Sequence, residues 1–252
     1  MTTLLLVSIL AASGAAPVPT DTVRLEVGSP EVNGRVYQPH TARVRVHIGS
    51  TGAPVVAEWT NELTLGDSAG RPIMRWVTRG MRKGADGTPV EWEILQTYDH
   101  VTLAPYGYVS TSSTGGETRL AIDGRRVKGT RRVHRDSTVQ TIDTMVDRMG
   151  FIASASDLVP LAAGMKPGMV MTAPVWGPNM PKAETRIFTV VGREQTPVEG
   201  HQWNAWKVEE RRASDRTLLA TWYLVDESPY MVAGDVVLPD GHVQKMTEVA
   251  IR

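Results

Sequence analysis

Polar and apolar residues alternate along most of the chain from residue 41 onward. In ARVRVHI, Val44, Val46 and Ile48 fall on one side and Arg43, Arg45 and His47 on the other. VEWEI sets Val90, Trp92 and Ile94 against Glu91 and Glu93, and TRLAID places Leu120 and Ile122 together. TRIFTVV, NAWKVEE, TLLATWYLV and HVQKMTEVAI read the same way. A period of two marks β-strands, because successive side chains leave opposite faces of the backbone. Between these runs stand GSTGAP, GDSAGRP, GADGTP, STGG, DGRR and PDGH. They are turn chemistry: glycine accepts positive φ and aspartate bonds its own backbone.

Strand signals spaced roughly 8–12 residues apart predict an antiparallel meander of about ten to twelve strands rather than βαβ units. The expected fold is all-β, one curved antiparallel sheet forming a half-open or closed barrel. Its inward face is expected to carry Val44, Val46, Trp92, Ile94, Leu120, Ile122, Trp206, Val208, Trp222 and Leu224.

One stretch breaks the rhythm. SASDLVPLAAGMKPG, 154–168, predicts a short helix near 154–160, with Ser154 or Ser156 as N-cap and Asp157 in the first turn. Pro160 lacks an N–H and limits the helix to a turn or two. Residues 138–146 read as a strand running into a loop, although Ile142, Met145, Val146 and Met149 also fit helical spacing. The segment 147–182, rich in Met and Pro, is a candidate lid, since the thioether adapts to varied apolar shapes.

The first residues differ in kind. MTTLLLVSILAASGAA has an apolar run from Leu4 to Ala12 followed by small residues, the layout of a secretory signal peptide over 1–15. The run is shorter than the ~20 apolar residues of a membrane-spanning helix. Residues 16–40 are then an extended leader and 41–252 a single antiparallel β-domain. The expected location is periplasmic or secreted, with no integral membrane span in the mature chain.

Charge and composition narrow the chemistry. Lys plus Arg and Asp plus Glu are 27 each, so no global charge draws the chain to nucleic acid. There is no cysteine, which removes disulfides, thiolate metal sites and a lipid anchor on an N-terminal cysteine. The six histidines show no metal-ligand spacing. No cofactor or metal is expected.

Three features remain as candidate chemistry. GDSAG, 66–70, fits the G-x-S-x-G pattern that presents a nucleophilic serine. That pattern needs a strand before it and a helix after it, whereas strand-like runs flank this one on both sides. Ser68 is therefore expected in a hairpin turn, and the chain is not expected to be an enzyme. GRRVKGTRRVHRD, 124–136, is a basic ribbon with Arg126, Lys128 and Arg132 on one face. It suits either a protected sheet edge or a rim that holds an anionic group through guanidinium forks. The seven tryptophans, on alternating strands, fit either ordinary core or an apolar concave wall. Trp92, Ile94, Trp206 and Trp222 are the candidate ligand-binding residues.

LVPLAAGMKPGMVMTAPVW, TRIFTVVGREQTPVEGHQWNAWKVEE and ATWYLVDESPYMVAGDVVLPDG together resemble a family of exported bacterial β-proteins of unknown function. Val159-Pro160-Leu161 through Gly164 carry the first element of the likeness. Val191, Gly192, Glu194, Val198, Gly200, Trp206 and Val208 carry the second, and Trp222, Tyr223 and Pro229 the third. That family is similar in architecture to the lipoprotein-carrier (Lol-type) half-barrels. The resemblance implies a hydrophobic concavity able to hold an acyl chain, and it transfers no catalytic residue. The expected function is non-enzymatic binding of a lipid or other amphiphile. The alternative is a structural or partner-binding envelope module with a filled core and no ligand.

Overall fold

The computed structural model describes residues 22–84 and 87–251. The expected signal peptide lies outside the described residues. Sixteen strands form one sheet among the described residues, more than the sequence count, partly because two of them are only two residues long.

The first half is an unbroken meander. It runs through β2 (His40–Ile48), β3 (Ala57–Ser68), β4 (Arg71–Lys83), β5 (Pro89–Asp99), β6 (Pro105–Ser112), β7 (Glu117–Asp123), β8 (Arg126–Arg132) and β9 (Gln140–Met145). The second half repeats the plan with β11 (Val170–Trp176), β12 (Glu184–Val198), β13 (His201–Arg212), β14 (Leu218–Leu224), β15 (Met231–Val237) and β16 (Val243–Ala250). The halves are joined in the middle of the sheet, where β16 pairs antiparallel with β2, Met246 opposite Val46. Two short strands, β1 (Val23–Arg24) and β10 (Phe151–Ile152), add to β11 in parallel, the only departures from antiparallel pairing among the described strands.

The sheet curves into a barrel-like wall whose two ends, β9 and β11 with its short partners, are not hydrogen-bonded to each other. Alternation decides the inside. Ala42, Val44 and Val46 are buried, as are Leu120, Ile122 and Val127. Their neighbours in sequence carry the charges of the outer face, where ion pairs such as Arg79 with Glu62 and Glu93 cross the strands. These exposed pairs contribute little to stability individually.

The break in the rhythm becomes a plug. A 3-10 turn over Ala153–Ala155 leads into α1 (Leu158–Ala162), all five of whose residues are buried. The helix begins later than expected, and Asp157 is its N-cap rather than a first-turn residue. No side chain caps it: Ser156 turns its hydroxyl to Glu210 instead. Pro160 fits because the first turn of a helix has no use for its missing N–H. Residues 22–40, expected as an extended leader, are built into this end of the barrel. Leu25, Val32 and Tyr37 are buried, Asn33 N–H donates to Ala162 O, and Tyr37 OH donates to Leu158 O.

GDSAG is a hairpin tip. Ser68 pairs with Arg71, and Ala69 and Gly70 both have positive φ, 54° and 79°. That is the two-residue turn whose twist matches the flanking strands. Asp67 Oδ1 accepts from Gly70 N–H at 2.8 Å. No helix follows Ser68, which is exposed.

Candidate functional site: a layered lumen

The inward positions sort into layers along each strand. On β3 they read Ala57, Trp59, Asn61, Leu63, Leu65; on β4, Arg82, Gly80, Thr78, Trp76, Met74; on β5, Val90, Trp92, Ile94, Gln96, Tyr98. The far layer is packed apolar core around the plug. The middle layer is polar. The near layer surrounds a cavity.

The cavity has a volume of about 600 Å³. Trp59, Trp92, Ile94 and Tyr108 form its half-buried aromatic and aliphatic wall, with Val46 and Val90 beside them. Arg82, Arg131 and Arg132 stand among its lining, and Pro178 and Asn179 reach over it from the loop after β11. Only this part of the expected 147–182 lid lies at the cavity, since 153–162 is the plug. Trp59 and Trp92 meet edge to face with ring centroids 5.8 Å apart. The residue between them in register is Gly80, and a Cβ there would stand 2.7 Å from both side chains. Glycine at 80 is what lets the two indoles share one wall.

The middle layer is a chain of buried hydrogen bonds. Thr78 Oγ1 donates to Asn61 Oδ1 at 3.0 Å, and Asn61 Nδ2 donates to Glu248 Oε1 at 2.8 Å. Gln96, 1% exposed, donates to Ser154 Oγ of the plug at 3.1 Å and accepts from Tyr98 OH. Ser154 itself is exposed. Across the barrel, Glu210 accepts from Ser156 Oγ at 3.0 Å, Trp222 Nε1 at 2.9 Å and Arg186 Nη1 at 3.4 Å.

Three carboxyl groups thus face the interior. Burial pushes Asp157 up to about 7, reinforced by the charge of Glu210. Its carboxyl is surrounded by protein, although the residue as a whole keeps some exposed surface. Burial holds Glu248 well above the ordinary carboxylate range, against the hydrogen bond from Asn61. Glu210 is raised by burial too, with Trp222, Arg186 and Ser156 opposing. Removing a carboxylate from water disfavours its charged form, and donors restore it. Among the described residues no group of His, Asp and Glu is arranged to hold a metal ion.

The expected site residues divide. Trp92 and Ile94 line the cavity. Trp222 does not: it is 9% exposed and bonded to Glu210 in the polar layer. Trp206 also stands away from the cavity, its indole N–H on Asp226 and its ring under Arg193 at 4.2 Å. Arg126 and Lys128 lie on the outer face, where Asp143 pairs with both, at 3.0 and 3.9 Å. Arg132 is at the cavity, donating to Gly115 O at 3.0 Å and reaching Glu117 at 3.6 Å. The polar layer was missed, yet it left a trace. Asn61, Thr78, Gln96, Glu210 and Glu248 each occupy an inward phase of an alternating strand.

The geometry defines a β-barrel-like protein, plugged at one end and hollow at the other. Among the described residues no helix is long and apolar enough to cross a membrane.

No protein-family model matches the chain, and no curated protein matches it. Among solved structures it is similar to the β-barrel-like protein of the domain of unknown function DUF1849 from Brucella abortus. The two are 11% identical with a TM-score of 0.52, over 90% of this chain and 98% of that one. A DUF1089 family protein from Pseudomonas aeruginosa is 12% identical with a TM-score of 0.31, over 75% and 87%, too distant to bear on the fold.

Proposed function

We propose that the lumen binds an apolar or amphiphilic, lipid-like ligand without transforming it, in a protein exported to the periplasm or beyond. The observation that carries this is the half-buried wall of Trp59, Trp92, Ile94 and Tyr108 around about 600 Å³ of unfilled space. A concave site of that size with an aromatic and aliphatic wall is the ordinary form of a small-molecule site, and here polar and charged residues complete the lining. The signal-peptide pattern of residues 1–15 supports export.

Native mass spectrometry of protein taken from cells is expected to show a co-bound lipid, and the emptied protein is expected to take up a fluorescent fatty acid. A clean unliganded mass together with no uptake would defeat the reading. Ser110 lines the cavity, and Ser110→Trp should fill part of it. Affinity is expected to fall by about tenfold, or about 1.4 kcal/mol, with the far-UV spectrum unchanged. A fluorophosphonate probe is expected to leave Ser68 unlabelled, as a hairpin tip without a following helix provides no activation; labelling there would reopen a hydrolase.

A second reading has its own support. The outer edge of β9 is unpaired among the described strands, and Val139 and Met145 beside and on it are 53% and 60% exposed. Such an edge can accept a strand from a partner protein. Met145 turns its N–H to the free edge, as Val146 N–H donates to Arg125 O of the neighbouring turn; capture of an envelope protein by emptied material, lost on Met145→Pro, would favour it.

A further inference from the structure

Most arginines of this chain already have a carboxylate. Arg45, Arg79, Arg119, Arg126, Arg148, Arg186 and Arg193 are all in ion pairs. Eight described arginines have no acidic partner among the described residues, and of these Arg82 and Arg131 line the cavity. Arg131 follows Val127 and Gly129 in the inward phase of β8, and its charge is felt by Tyr108 across the wall. The cavity lining holds three guanidinium groups, with Arg132, against one carboxylate, Glu117. Glu117 is already engaged by Arg119 and Arg132. In a chain of zero net charge this excess is local, built into one place.

The other end of the lumen has the opposite character. Its polar layer presents Asp157, Glu210 and Glu248, and its cation, Arg186, is held by Glu184 and Glu210. An anion has no partner there.

Resting on the reading of the lumen as an amphiphile site, we propose that its ligand carries an anionic head group, a carboxylate or a phosphate. Arg131 and Arg82 hold the head at the mouth, and the apolar chain runs inward past Trp92 and Ile94. The physical reason is twofold. Guanidinium forks bind carboxylate and phosphate oxygens in pairs of short hydrogen bonds. The apolar wall beside them lowers the local dielectric and strengthens the attraction relative to open water.

The test uses the full chain, stripped of co-purified lipid, and four probes: dodecanoic acid, dodecyl phosphate, dodecanol and inorganic phosphate. The acid or the phosphate ester is expected to bind at least about tenfold more tightly than the alcohol, about 1.4 kcal/mol. Which of the two is tighter identifies the head group. In the double variant Arg82→Gln, Arg131→Gln that preference is expected to collapse toward unity, and added salt should weaken it in the parent. Equal binding of acid, ester and alcohol overturns the head-group inference and leaves the apolar site standing. Inorganic phosphate binding as tightly as dodecyl phosphate overturns the inward chain. Failure of every alkyl probe defeats the amphiphile reading itself.

Discussion

Replacement of Glu210 by alanine is expected to cost about 3–5 kcal/mol of folding stability, the range for breaking a buried ion pair from one side. Glu210 is 3% exposed and is the shared acceptor of three donors from three elements. Ser156 comes from the plug, Arg186 from β12 and Trp222 from β14. Without it, the hydroxyl and the indole N–H lose their acceptor in a place water reaches poorly, and Arg186 retains only Glu184. An orphaned buried donor costs more than its bond contributed. Chemical denaturation measures the effect. Glu210→Gln keeps an acceptor oxygen and should recover part of the loss. A loss below about 1 kcal/mol for alanine would mean the network is loose.

The second large effect is a dependence on pH. Asp157 has a folded pKa of about 7, raised by burial, whereas an aspartate in the unfolded chain titrates near 3.9. Below the unfolded value both states are protonated and the group is neutral to stability. As pH rises past it, the unfolded state releases its proton while the folded state holds on, so folding is penalised. The penalty grows by up to about 1.4 kcal/mol per pH unit and is complete above the folded pKa. Glu248, raised in the same direction, adds to it. The wild-type denaturation midpoint is therefore expected to fall between pH 4 and pH 7 more steeply than that of Asp157→Asn. The asparagine keeps the shape of the carboxyl and removes its charge. Parallel profiles for the two proteins would show that Asp157 is solvated rather than buried.

Much of this architecture was legible from alternation alone. A period of two depends only on local geometry, so Val44 and Val46, or Leu120 and Ile122, declare their face without knowledge of their partners. The hairpin at Ala69-Gly70 was equally local. What lay beyond reach was the pairing of distant strands. Trp92 and Trp222 have the same alternating context, yet one lines open space and the other lies against Glu210. The difference is set by the neighbouring strand: Glu210 of β13 takes the Trp222 indole N–H, whereas Trp92 has Gly80 beside it, and alternation within one strand does not show which neighbour it meets. The arginines show the same limit: Arg126 and Arg131 are one ribbon in sequence, but Asp143 from β9 neutralises only the outward member. The polar layer was overlooked for another reason. Its residues are scattered one to a strand along β3, β4, β5, β13 and β16, and only the fold shows that they form one layer.

The pairing of β16 with β2 has a consequence for how the protein is made. A chain synthesised from its N-terminus has β2 ready almost at once, but the strand that covers it is nearly two hundred residues away. Until that strand arrives, the backbone edge of β2 is bare and available to stray strands. Premature termination anywhere in the second half leaves the same sticky border, so shortened products should be found in aggregates rather than as small folded domains.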